Sequence, residues 1–195
     1  MKNDVAEHPP RPYRFTRKDY YAMGDAGLFE NQRVELIDGE ILLMSPQKGP
    51  HAASAGRLTE MFVKQAPDGI IVRCQLPLKL GGRTEPEPDI AIVKGSWDEF
   101  IESHPKTAEL VIEIANASVN YDRKNKGSLY AKAQIPEFWL INLIDKCVEV
   151  FRKPVKAKDQ IFGYKYSSCQ ILRSGETISP LFLPGMKITV KELLP

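Results

Sequence analysis

A glutamate stands inside an otherwise apolar run, Leu110-Val111-Ile112-Glu113-Ile114-Ala115, and few folds can hold it there. In a strand, side chains alternate between faces. Leu110, Ile112 and Ile114 then share one side, and Val111, Glu113 and Ala115 the other. Both sides are apolar apart from the acid, so the strand is expected inside a sheet covered on both faces. A carboxylate buried in such a place must be paired or must ligate a cation. The run alone leaves both open: a buried Glu–Lys or Glu–Arg pair, or a metal site.

The flanking sequence supplies partners for either arrangement. Asp89 opens a second buried-type strand, Asp89-Ile90-Ala91-Ile92-Val93, directly after Glu85-Pro86-Glu87-Pro88. Alone, an acid there reads as a turn or cap residue. If the two strands are neighbours, their acids can share one cation; hard ions such as Mg²⁺ favour a few carboxylates with water and phosphate oxygens. Residues 122–134, DRKNKGSLYAKAQ, have helical spacing and are stopped by Pro136. Lys126, Leu129, Tyr130 and Ala133 form the inward stripe, while Arg123, Lys124 and Lys132 are freer to reach solvent. An inward lysine can pair with the acids or stabilise charge at a phosphate. It can also snorkel past Leu129 to water.

Elsewhere the pattern alternates between strand and helix. Thr16 is expected to cap a short helix through Met23, which Gly24 and Gly27 end. Asp38-Gly39 between apolar runs predicts a hairpin, with Leu36 opposite Ile41, Val34 opposite Leu43, Glu35 opposite Leu42 and Ile37 opposite Glu40. Residues 51–66 read as a helix with Leu58, Met61 and Phe62 on one side. Residues 70–80 read as a strand that Pro77 bends or confines to an edge. Residues 137–143 and 146–153 read as strands paired across Ile144-Asp145. IFGYKYS, CQILRS and MKITV are further strands of the tail. Trp97, Phe100, Phe138 and Trp139 are expected in the core. Arg152, Lys153, Lys156 and Lys158 read as a solvated loop or as phosphate contacts. The whole is α/β: one domain over residues 15–195, with a mixed central β-sheet flanked by helices. A flexible N-terminal arm over residues 1–14 precedes it, because His8-Pro9-Pro10-Arg11-Pro12 cannot form regular structure.

Composition narrows the function classes. Lys and Arg number 27 against 25 Asp and Glu, a net charge of +2, so any nucleic-acid surface must be a local patch. Cys74, Cys147 and Cys169 are far apart and odd in number, which fits free thiols. The N-terminus carries no apolar segment of the secretory kind, and no run approaches the roughly 18 apolar residues of a membrane span. A cytoplasmic protein without membrane association is expected. The histidines form no zinc pattern, and no P-loop, GxGxxG or nucleophile elbow is found.

Taken as a set, VELIDGEILLMSP with the following His51, EPEPDIAIV, ELVIEIANAS, YDRKNKGSLYAKAQIPEFWLI and LPGMKI resemble the Uma family of restriction-endonuclease-like proteins, within the PD-(D/E)XK nuclease superfamily. The likeness covers most of residues 16–190. It implies a restriction-endonuclease-like fold and hydrolysis of DNA phosphodiester bonds with Mg²⁺ or Mn²⁺. It implies Asp89 and Glu113 as metal ligands, the main-chain carbonyl of Ile114 as a third, and Lys126 as the catalytic lysine. Glu35 matches a recurrent acid that adds a metal or water contact. His51 and Tyr121 match recurrent polar positions without an assigned role. Two departures stand out. Ala115 occupies the usual lysine position, so the lysine is taken to have moved to the following helix. Asn116-Ala117-Ser118 stands where relatives commonly have Ser-Pro. The implied partner is DNA, and a homodimer follows by analogy, since cutting both strands needs two sites. Two alternatives stay open. One is an inactive DNA-binding or protein-interaction module that keeps the fold, which Ala115 favours. The other is a metal-dependent phosphoesterase or ribonuclease.

Overall fold

The computed structural model describes residues 10–195. Of the arm expected over residues 1–14, the first nine lie outside the described residues. Tyr13 stays largely exposed with its ring edge-on to Phe15, and Arg14 pairs with Glu40 at 2.6 Å.

Thr16 caps α1 (Arg17–Asp25) reciprocally with Asp19. The Asp38-Gly39 turn joins β1 (Val34–Ile37) to β2 (Glu40–Leu43) in the expected register, Val34 opposite Leu43 and Glu35 opposite Leu42. Gly39 has φ +80°, and a Cβ there would come within 2.8 Å of the Arg14 Cβ, so both conformation and space require glycine. This ribbon docks on the segment ahead of the second sheet acid. Glu85 N donates to Leu36 O at 2.7 Å, and Gly39 N donates to Arg83 O at 2.7 Å.

α2 (Gly49–Gln65) follows, then β3 (Ile70–Cys74), β4 (Ile90–Lys94) and β5 (Leu110–Ala115). After β5 the chain forms α3 (Val119–Tyr121), a π-helical turn over Asp122–Lys126 and α4 (Gly127–Lys132), and then β6 (Glu137–Asn142), β7 (Cys147–Lys156) and β8 (Tyr164–Arg173). The tail adds β9 (Thr177–Ile178), β10 (Ile188–Thr189) and α5 (Val190–Leu193). The central sheet runs β3-β4-β5-β6-β7-β8. Only β5 and β6 are parallel neighbours. A parallel pair needs a crossover, and the segment from α3 to α4 supplies it. Leu58 and Phe62 of α2 cover the face bearing Ile90, Ile112 and Ile114. Tyr130 and Ala131 of α4 cover the opposite face, with Val111, Ala115 and Leu140. The apolar run around Glu113 is thus sandwiched, as its two apolar faces required.

Several expectations need correction. The strand expected to Leu80 ends at Cys74, because Gln75 turns to φ 53° ahead of Pro77. IFGYKYS and CQILRS are not separate: one continuous β8 pairs along β7. MKITV keeps only two strand residues, and Thr189 then caps α5 with Glu192. The helix expected from residue 122 begins at Val119, and its first residues form the π-turn. Trp97 is 53% exposed rather than in the core. Buried Arg73 fills the space below it, its guanidinium 5.6 Å from the indole centroid. Phe138 and Trp139 are fully buried as expected. The three cysteines are free thiols. Among the described residues no helix is long and apolar enough to cross a membrane.

Candidate active site

Strand order decides where the acids meet. β4 and β5 are antiparallel neighbours with Ile90 facing Ile112, so one residue further Asp89 stands across from Glu113, on the side covered by α4. The backbone ladder stops there and the Asp89 side chain continues it: Oδ2 accepts the Ile114 N–H at 2.8 Å. The same oxygen lies 3.0 Å from Nε2 of His51, in the first turn of α2. Lys126 closes the π-helical turn and points inward. Its Nζ donates to Glu113 Oε1 at 3.0 Å and to Glu35 Oε1 at 3.2 Å. Lys126 is 2% exposed, so it does not snorkel to solvent. Glu35 reaches it from β1 because the docked ribbon also lets Glu35 Oε1 accept the Glu87 N–H at 3.1 Å. The π-turn carries an extra residue per turn, and it sits where Lys126 must approach the sheet.

Three further residues belong to the constellation, and sequence reading did not single them out as site residues. Tyr130, one turn beyond Lys126, donates its hydroxyl to Glu113 Oε1 at 2.5 Å. Asp122 lies at the head of the π-turn and accepts the Ser118 hydroxyl at 2.6 Å. Glu87 projects beside Asp89, with Arg33 3.7 Å away. The spacing of 122, 126 and 130 by fours, and of 87 and 89 by two, is the signal that could have found them.

Charge explains the state of the site. Two buried glutamates face one ammonium, leaving a negative charge unbalanced. Burial pushes the Glu113 carboxyl up to about 8, against the pull of Lys126. Its Oε1 takes both hydrogen bonds while Oε2 accepts none among the described residues, so Oε2 is where a proton, or a cation, fits. Burial alone would lower the Lys126 ammonium, but Glu113, Glu35 and Asp122 outweigh it and hold it well above its ordinary value. Burial also raises Asp122 and Glu87. Glu35 Oε2 is buried without a partner.

Glu87, Asp89, Glu113, Asp122 and Lys126 line a cleft of about 570 Å³, with Glu35 behind it. Leu42, Leu43 and Met44 form an apolar wall, Arg33 and Lys48 bring positive charge, and Asp89, Glu113, Ile114 and Lys126 are also exposed to it. Tyr121 lines the cleft too, its hydroxyl raised by burial to about 12. Among the described residues no three His, Cys, Asp or Glu side chains gather to chelate an ion. A cation here would use two carboxylates and complete its shell with other oxygens, a donor set that suits Mg²⁺ or Mn²⁺. Glu113 Oε2 and Asp89 Oδ1, which line the cleft and accept no hydrogen bond among the described residues, fit such an ion.

Arg152, Lys153, Lys156 and Lys158 do not line this cleft. Arg152 pairs with buried Glu137 at the opposite end of β6. Arg123, expected near solvent, is tied to Glu149 at 2.6 Å and 2.8 Å.

The profile of a family described as Uma2, putative restriction endonuclease, matches residues 17–191. No curated protein matches significantly. A crystal structure described as a putative nuclease belonging to DUF820, from Anabaena variabilis, superposes with a TM-score of 0.65. It covers 92% of this chain and 97% of that one at 16% identity, a likeness of fold.

Proposed function

The chain belongs to the Uma2 family, and from that premise we propose that it is a metal-dependent endonuclease that hydrolyses DNA phosphodiester bonds. The observation that carries this reading is the meeting of Asp89, Glu113 and Lys126 in one cleft, from three separate elements. Asp89, Glu113 and the Ile114 carbonyl would hold Mg²⁺ or Mn²⁺. When bound, such an ion supplies Lewis acidity at a phosphate oxygen and lowers the pKa of the attacking water.

The chain's own residues do the rest. Lys126 spends two N–H groups on Glu113 and Glu35, which leaves the third for a phosphate oxygen or water. Tyr130 and Lys126 hold Glu113 by one oxygen, which leaves the other to hold a cation. Tyr121 stays protonated at physiological pH and can donate to the substrate. Arg33 and Lys48 offer the positive charge that a polyanion needs at the mouth of an acidic cleft. Two copies of the chain acting together would cut both strands.

Calorimetric titration with Mn²⁺, together with cleavage of duplex DNA, single strands and RNA, tests the reading. Wild type should bind the ion and cut DNA, and Asp89→Ala should lose both. A wild type that binds Mn²⁺ but cuts only RNA would shift the substrate. One that binds no ion would favour the inactive module, which Ala115 and the double pairing of Lys126 support.

A further inference from the structure

We infer that His51 is a positioning residue for Asp89: it donates from Nε2 to Asp89 Oδ2 and leaves Oδ1 as the single oxygen that Asp89 offers a divalent cation. This rests on the metal reading proposed above. Asp89 follows Pro88 at the point where the β4–β5 ladder stops, so its carboxylate rather than its backbone meets the groups across from it. Two donors orient it, one from β5 and one from α2. Ile114 N lies 2.8 Å and His51 Nε2 3.0 Å from Oδ2. Oδ1 accepts no hydrogen bond among the described residues, and Asp89 lines the cleft. His51 is well placed for this task. It sits in the first turn of α2, a helix pinned to the core by Leu58 and Phe62, which fixes the backbone from which the imidazole reaches Asp89.

The ring's other nitrogen indicates which one carries the hydrogen. Nδ1 is buried with no partner. A hydrogen on Nδ1 would orphan a buried N–H and set the Nε2 lone pair against a carboxylate lone pair. A hydrogen on Nε2 leaves only an acceptor unpartnered, the more tolerable deficit. With its hydrogen on Nε2 the ring donates to Asp89 and orients its carboxylate. That is the role of outer-shell partners, which orient a ligand and sharpen its affinity for the ion.

The test compares the full chain as wild type, His51→Ala and His51→Gln. Glutamine can return an N–H to the position of Nε2. Melting curves of the metal-free proteins show that each variant is folded. Mn²⁺ titrations by calorimetry should show His51→Ala about 10- to 100-fold weaker than wild type, with His51→Gln recovering most of the loss. Nitrogen-15 spectra of metal-free wild type at pH 8 should place the ring hydrogen on Nε2. If wild type binds Mn²⁺ and His51→Ala binds it equally well, the inference fails while the metal reading stands. A hydrogen on Nδ1, or His51→Gln as weak as His51→Ala, also overturns it. A wild type that takes up no Mn²⁺ removes the metal reading and this inference with it.

Discussion

Lys126→Met keeps a long apolar side chain but removes the ammonium that Glu35 and Glu113 share, at 3.2 Å and 3.0 Å. Deleting one partner of a buried pair costs about 3–5 kcal/mol, because the remaining charge is stranded. Two carboxylates are stranded here, so the upper part of that range is expected wherever both are ionised. The loss must depend on pH. In the wild type burial pushes Glu113 up to about 8 from its ordinary value of 4.5, so its protonated form favours the fold. That contribution is complete below pH 4.5 and is lost as pH rises through 8. Removing Lys126 removes the main downward pull on Glu113 and carries its pKa higher still. At pH 6 the raised Glu113 carboxyl holds its proton in both proteins, and the cost is at its smallest. Above pH 8 the wild type ionises beside an ammonium and the variant has none, so the deficit widens. Urea unfolding in EDTA at pH 6 and pH 9 measures both values. A deficit below about 1 kcal/mol at both pH values, or one that shrinks as pH rises, would refute the buried shared ammonium.

Three other outcomes follow from the same geometry. Tyr130→Phe removes a buried donor to Glu113 Oε1 and should cost about 1–2 kcal/mol in urea unfolding. Arg33→Ala should weaken DNA binding and reduce the slope of log K against log salt by about one, read by fluorescence anisotropy at several salt concentrations. Gly39→Ala forces a side chain at φ +80° into Arg14 and should cost more than about 1 kcal/mol in urea unfolding. Because that turn docks the ribbon carrying Glu35, the same variant should lower Mn²⁺ affinity.

Much of the site was legible because its signals are local. The hairpin register follows from turn chemistry and a period of two, so Glu35 opposite Leu42 could be assigned before any fold was known. Lys126, Leu129 and Tyr130 share a buried stripe, as helical spacing predicts. Tyr130 read only as a core residue, because nothing along the helix says that its hydroxyl meets an acid on β5. Trp97 read as core because burial depends on its neighbours, and buried Arg73 occupies the place below it. Arg152 read as part of a solvated loop or a phosphate contact, because nothing along the chain shows that buried Glu137 pairs with it.

By itself the amino-acid sequence determined the periodic elements, the acid inside a covered strand and the lysine on an inward helical face, since each depends on residues a few positions apart. Tertiary structure alone decided that β4 lies beside β5, that Asp89 falls one residue beyond their ladder, and that a π-turn delivers Lys126 between Glu35 and Glu113. Those outcomes depend on strand order and on packing between segments distant in the chain, for which local residue spacing carries no signal.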